Sequence, residues 1–190
     1  MGDEKIPLFS KPPVELNPDL CSNHLVESDV FIGLGSNLGD REMNLLQGIA
    51  EVGKLPLSRI TALSSFYETE AVGEIDQPDF LNGVLRLETG LTPRQLLSGL
   101  QQIEAGPFRR VRSVPKGPRT MDLDILLFGS AAVFEDGLVI PHPRLHERRF
   151  VLEPLAEIAP EFQHPLLRKT ISELLKMIKG NQRVKKIQEG

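Results

Sequence analysis

Between Asp29 and Gly129 the hydrophobic period of the chain switches repeatedly between that of a strand and that of a helix. The order of those switches leaves few architectures open. The run "DVFIGLGSN" (29–37) reads as a buried strand that stops at glycine and asparagine. "GDREMNLLQGIAEVGKL" (39–55) spaces Met43, Leu46, Ile49 and Val52 as the inward stripe of a helix. "SRITALSSFYET" (58–69) returns to β-type residues and reads as one further strand, followed by the loop "EAVGEIDQPD" (70–79). In "FLNGVLRLET" (80–89), Leu81, Leu85 and Leu87 share one strand face, and Phe80, Asn82 and Val84 share the other. A second helix opens with Thr92 as cap and Pro93 in its first turn. It carries Leu96, Leu97, Leu100 and Ile103 as its stripe and stops at Gly106. After the basic loop "PFRRVRSVPKGPR" (107–119), "MDLDILLF" (121–128) supplies a fourth strand.

The resulting order, β-α-β-β-α-β, is the split βαβ pattern of a ferredoxin-like core and places the chain among α+β folds. Two helices then cover one face of an antiparallel sheet. Two later helical patterns, "RRFVLEPLAEIA" (148–159) and "TISELLKMIK" (170–179) capped by Thr170, cover the other, which gives three layers. "GLVIP" (137–141) is a candidate extra strand. Residues 1–28 are proline-rich and aperiodic, a flexible extension; 29–165 form the main domain and 166–190 a terminal helix and tail. A net charge of −4 gives no global basic field for nucleic acid or an anionic membrane. Cys21 is the single cysteine, which excludes an internal disulfide and a multi-cysteine zinc site. No apolar stretch reaches the roughly 20 residues of a membrane span, and the acidic, proline-broken start does not resemble a signal peptide. The expected setting is cytoplasmic.

Three motifs attract attention and fail. "GIAEVGKL" (48–55) has phosphate-loop spacing, but Leu55 stands where a magnesium-binding hydroxyl is required and the segment ends a helix instead of preceding one. "GLGSNLG" (33–39) has its third glycine one residue late for a dinucleotide fingerprint and reads as a tight turn in which Gly35 admits close backbone approach. His142 and His146 are separated by Pro143, which breaks a shared helical face, and no third clustered ligand completes a zinc set.

"GPRTMDLDILLFG" (117–129) is different. Residues two apart in a strand share a face, so Asp122 and Asp124 project together while Met121, Leu123, Ile125 and Leu127 face the other way. Paired buried carboxylates repel and lose hydration, and a divalent cation removes both costs; oxygen-only donors suit Mg²⁺. An exposed edge, or compensation by arginine, answers the same pattern. Arg109, Arg110, Arg112, Lys116 and Arg119 crowd the stretch before the pair, although the chain is acidic overall. Guanidinium forks match phosphate oxygens, so the two features together suggest a metal–nucleotide site. Phe80 and Asn82 add an aromatic plate and an amide able to read a heterocycle edge, and Phe150 offers a second plate.

Taken together, "GLGSNLGDRE", "SSFYET", "DQPDFLN", "GPRTMDLDILLFG" and "IPHPRLHERRFVLEPLAEIAP" resemble the hydroxymethyldihydropterin pyrophosphokinases of folate biosynthesis, over about Phe31 to Pro160. The resemblance implies transfer of pyrophosphate from ATP to the hydroxymethyl group of 6-hydroxymethyl-7,8-dihydropterin, with release of AMP. It implies two Mg²⁺ ions bridged by Asp122 and Asp124, and catalytic roles for Arg110 and Arg119 on a loop that closes over the reactants. Asn82 then reads the pterin with backbone groups near Thr69, Ala71 and Val72, beside Phe80 and Phe150. Gln101, Glu104, Arg110, Arg119, His142 and Arg148 match ATP-contacting positions. The implied partners are small-molecule substrates, with a folate-pathway enzyme as candidate neighbour. Lys116 stands where some bacterial members have tryptophan, and "AGPFRRVRSV" differs in length from their loop, which loosens the matching of the arginines. A nucleotidyltransferase pairing Gly35-Ser36 with the aspartates is the competing enzyme class, set apart by releasing pyrophosphate instead of AMP. A non-catalytic pterin or nucleotide sensor is the third.

Overall fold

β1 (Ser28–Ser36) lies at the centre of the architecture, paired antiparallel on both sides. The structure is a computed structural model and describes residues 28–70, 77–108, 117–179 and 182–187. Ala71, Val72, Arg109, Arg110, Arg112 and Lys116 lie outside the described residues, as does all but the last residue of the N-terminal extension. After β1 come α1 (Arg41–Val52), β2 (Ser58–Leu63), β3 (Tyr67–Thr69), β4 (Phe80–Thr89), α2 (Pro93–Ala105) and β5 (Asp122–Phe128). A hairpin of β6 (Val133–Glu135) and β7 (Leu138–Ile140), a short 3-10 turn (Leu145–Glu147), α3 (Arg149–Ile158), α4 (Ile171–Met177) and β8 (Val184–Lys186) complete the order.

The main sheet runs β5-β1-β4-β3-β8, every pair antiparallel. β4 pairs with β1 along one edge; its other edge is shared by β3 at Phe80–Asn82 and β2 at Leu85–Thr89. The stretch expected as one strand over 58–69 is therefore two pieces. Its register against β4 shifts between Ile60 and Ala62, and it breaks at 64–66. There Ser64 still donates its N–H to the Val84 carbonyl, while its hydroxyl accepts the Val84 N–H, so the break leaves the ladder satisfied. "GLVIP" does form a strand, β7, but it pairs with β6 away from the main sheet.

Apolar side chains collect on both faces of the sheet. Ile32, Leu34, Leu85, Leu87, Leu123 and Ile125 meet Leu45 and Val52 of α1 and Leu96, Leu100 and Ile103 of α2. Phe31, Val84, Leu126 and Leu127 meet Val151, Leu152 and Leu155 of α3 and Ile171 and Leu174 of α4. Each such burial contributes roughly 1.5–3 kcal/mol before entropy is counted.

Two expected facings differ. Met43 and Leu46 are exposed; α1 instead buries Leu45, Gly48 and Val52. Gly48 faces the core because Met121 packs directly on its bare backbone, where a Cβ would meet the end of that side chain. Leu127 lies with the α3 side and not opposite the aspartates, since a register shift places Phe31 against Leu127 but Ile32 against Ile125. The extra residue, Leu126, reverses the alternation from that point onward. Caps follow the sequence closely: Thr92 and Thr170 each close a capping box, with Gln95 and Glu173. Among the described residues no helix is long and apolar enough to cross a membrane.

Candidate active site

The pairing of β5, β1 and β4 brings the chemistry-bearing residues to one face. Asp122 stands opposite Gly35, and Asp124 opposite Gly33. Gly35 in turn stands opposite Asn82, which pairs across β4 with Tyr67. Asp122, Gly35 and Asn82 thus form one rung of the sheet, with about 5 Å between neighbouring strands. Gly35 is the floor between the outer two. A Cβ there would lie 3.2 Å from Asn82 Oδ1, 3.8 Å from Asp122 Cβ and 3.8 Å from Phe80 Cδ1.

The amide is held in one orientation. Asn82 Nδ2 donates to Thr69 Oγ1 at 2.7 Å, and both residues are buried. The carboxylates are held from behind and beside. Glu104, buried on α2, accepts the N–H of Leu123 at 2.9 Å, fixing the backbone between the two aspartates. Arg119 Nη1 donates to Asp122 Oδ2. Burial, and next the charge of Asp122, push the Asp124 carboxyl up to about 6; Arg148 and Arg119 oppose the rise and Glu104 adds to it. Burial and then Arg148 hold His142 down to about 4, so the imidazole is neutral at pH 7. Its Nδ1 accepts the Arg144 backbone N–H at 3.2 Å, and the backbone N–H of His142 donates to the Leu126 carbonyl on β5. The Arg148 guanidinium lies 5.6 Å from the centre of the Phe150 ring at the start of α3.

Asn37, buried just after β1, joins three segments. Its Oδ1 accepts the Arg119 N–H at 2.7 Å, and its own N–H donates to the Arg119 carbonyl at 3.0 Å. Its Nδ2 donates to Gln77 Oε1 and to the Pro78 carbonyl, each at 3.1 Å. Arg41 adds a second strap, from Nη1 to the Asp79 carbonyl at 2.9 Å and from Nη2 to Glu68 at 2.8 Å. The arginine before the aspartates and the loop before Asn82 therefore share one anchor.

A model of the family "7,8-dihydro-6-hydroxymethylpterin-pyrophosphokinase (HPPK)" matches residues 31–160 of this chain. The chain belongs to this family. It is an ATP-dependent pyrophosphokinase of folate biosynthesis, a transferase that acts on the hydroxymethyl group of a dihydropterin. The 2-amino-4-hydroxy-6-hydroxymethyldihydropteridine pyrophosphokinase of Bacillus subtilis is 47% identical over 133 residues, covering 70% of this chain and 79% of its own. The enzyme of the same name from Pseudomonas aeruginosa is 43% identical over 136 residues, covering 72% and 83%. Among solved structures, wild-type Plasmodium falciparum HPPK-DHPS with SDX-DHP has a TM-score of 0.62 at 16% identity. That likeness in fold covers 79% of this chain and 44% of the other, so the chain spans less than half of that longer polypeptide.

For this pyrophosphokinase, Asp122, Asp124, Arg119, Asn82, Thr69 and Phe80 fall within a few strands of one another. His142, Arg148 and Phe150 enter the same face from the segment leading into α3. Glu104 sits behind the aspartates, and Gln101, one turn earlier on α2, is exposed. Ala71, Val72 and Arg110, expected to take part, lie outside the described residues. Reading the residues one at a time passed over Asn37, Gln77 and Arg41. An asparagine directly after a strand, two residues past Gly35, marks the end of that strand in the sequence but not its partners at 77–78 and 119.

Proposed function

We propose that the rung Asp122–Gly35–Asn82 is the reaction axis, with the triphosphate of ATP over the aspartates and the pterin over Asn82. The observation that carries this reading is the side-chain-free floor at Gly35 between an oriented amide and a carboxylate pair. Asn82 presents its amide to the pterin's donor–acceptor edge, oriented by Thr69. Phe80 and Phe150 supply apolar plates for the ring; Ala71 and Val72, the other pterin-contacting positions that the resemblance implies, lie outside the described residues. Gln101, Glu104, His142 and Arg148 contact the nucleotide, as do Arg110 and Arg119. The last two neutralise phosphate charge.

The donor set fits divalent magnesium. Two carboxylates on one face offer oxygen only, and the raised Asp124 marks a repulsion that a cation relieves. Asp122 and Asp124 would hold two Mg²⁺ ions, which supply charge neutralisation of the triphosphate and orientation of its phosphorus. The chain's own part is positioning. Glu104 sets the strand backbone, Asn37 sets Arg119 relative to the pterin loop, and neutral His142 can hydrogen-bond the nucleotide without adding charge. In-line attack of the pterin hydroxyl on the β-phosphorus needs no protein nucleophile.

The ferredoxin-like, three-layer arrangement is supported by the β5-β1-β4-β3 order and by the apolar clusters on both sheet faces. In this reading the catalytic domain spans 29–165, with 1–28 an extension and 166–190 a terminal helix and tail. A cytoplasmic setting and a neighbouring folate-pathway enzyme accompany it; the HPPK-DHPS chain supports the latter. The test is nucleotide analysis after incubation with ATP, Mg²⁺ and the pterin. AMP that appears only when all three are present is the expected result, and it disappears in Asp122→Ala. Pyrophosphate release instead, or undiminished turnover in that variant, would overturn the assignment.

A further inference from the structure

The chain after α4 lies beyond the family match, yet it returns to the sheet beside the pterin half of the site. β8 pairs with β3 as Tyr67↔Lys186, Glu68↔Lys185 and Thr69↔Val184. The rung of the site thereby extends without a break from Asp122 through Gly35, Asn82 and Tyr67 to Lys186. β3 has only three residues, and with β8 in place it is an internal strand. Two further ties secure the join. Ile187 N–H donates to the Phe66 carbonyl at 2.8 Å. Lys186 Nζ reaches Glu157 of α3 at 3.0 Å.

That carboxylate is a junction. Besides Lys186 it accepts the Ser65 N–H at 3.2 Å, the Ser65 hydroxyl at 2.8 Å and the Tyr67 hydroxyl at 2.8 Å. Burial acts to raise its pKa, but the bonds from Ser65, Tyr67 and Lys186 prevail and hold it below the ordinary value. Glu157 therefore stays charged and clamps α3, β3 and β8 together.

We infer that β8 is a positioning element for pterin recognition: it immobilises β3, so that Thr69 Oγ1 stays where it fixes the Asn82 amide. The inference rests on the reading that Asn82 recognises the pterin. A three-residue strand paired on one side only would fray, because its outer N–H and C=O groups would bond water. Fraying would let Thr69 move and the amide rotate. The nucleotide half, built on β5 and α2, lies at the opposite end of the sheet order β5-β1-β4-β3-β8 and should not respond. Lys185 and Lys186 make this terminal strand polar, in keeping with a strand at the end of the sheet order.

The experiment uses the full chain carrying Lys185→Pro. Alternation from the Ile187–Phe66 bond makes Lys185 and Glu68 a hydrogen-bonded pair, so proline removes a bond to β3. Pterin affinity is measured by calorimetry with a non-cleavable α,β-methylene ATP analogue and Mg²⁺ present, and analogue affinity is measured alone. Amide exchange at 67–69 reports whether β8 has detached. Pterin affinity about tenfold weaker, with analogue affinity and kcat at saturating pterin unchanged, is the expected result. Lys186→Met, which removes only the tie to Glu157, should move pterin affinity in the same direction by less. Faster exchange at 67–69 with pterin affinity intact overturns the inference, as does equal weakening of both ligands. Asn82→Ala serves as the separate control. If it leaves pterin affinity intact, the reading of Asn82 fails, whatever β8 does.

Discussion

Burial and the neighbouring Asp122 hold Asp124 at about 6, and removing its charge should move stability and turnover in opposite directions. A carboxyl whose folded pKa lies above its ordinary 3.8 takes up protons in the native state. The stability it contributes is present at low pH and is lost as pH rises from about 4 to 6. Asp124→Asn should therefore melt higher than the parent in metal-free buffer at pH 7, by about 1–2 kcal/mol after solvent screening. Its AMP formation should fall by about 10³-fold, roughly 4 kcal/mol in the barrier. His142 has the opposite sign. Its folded pKa of about 4 lies below the ordinary 6.5, so the unfolded chain binds the proton first and stability drops as pH falls through that window. His142→Asn should flatten that acid limb, which denaturant titrations at pH 4.5 and 7 would register as a smaller difference than in the parent. The aspartate pair was legible from strand alternation and from the arginines before it. Asn37 was not, because its importance comes from where 77–78 and 119 meet in space.

At the scale of elements, signals that act within a few residues were the most reliable. Thr92 and Thr170 could be read as caps from their own turns, and both close capping boxes. Thr170→Ala should cost about 1 kcal/mol and lower the thermal midpoint without altering nucleotide affinity; no change in melting would show that α4 does not depend on its cap. The inward face of α1 was not legible in the same way. "MNLLQGIAEV" offers two apolar stripes, and the buried face carries Gly48, on which Met121, a neighbour far along the chain, packs. The bulge at Leu126 was hidden for a related reason. An all-apolar run does not reveal where its alternation inverts, and only pairing with Phe31 and Ile32 does. The aspartates were unaffected because they precede the bulge.

For the whole molecule, the β-α-β-β-α-β order carried most of the sheet, since short connections leave few ways to arrange those strands. β8 could not be seen from sequence, because three residues rich in lysine have no strand signature of their own. The terminal region nevertheless shares the main core. The Phe31 ring meets Phe162 edge-on, with centroids 4.8 Å apart, in the cluster that Ile171 and Leu174 complete. Phe31→Ala should cost about 3–5 kcal/mol and unfold in a single transition, seen alike by far-UV and near-UV dichroism; two separate transitions would mean that the terminal helices melt apart from the sheet. One consequence of the Gly35 rung bears on ligand design. In the proposed site, the separation of the heterocycle pocket from the metal pair is set by two strand spacings, about 10 Å, and backbone hydrogen bonds make that distance nearly incompressible. A single inhibitor bridging both pockets should gain most from a stiff linker cut to that length, because each freely rotating bond would forfeit affinity that this scaffold cannot restore by adjusting its own width.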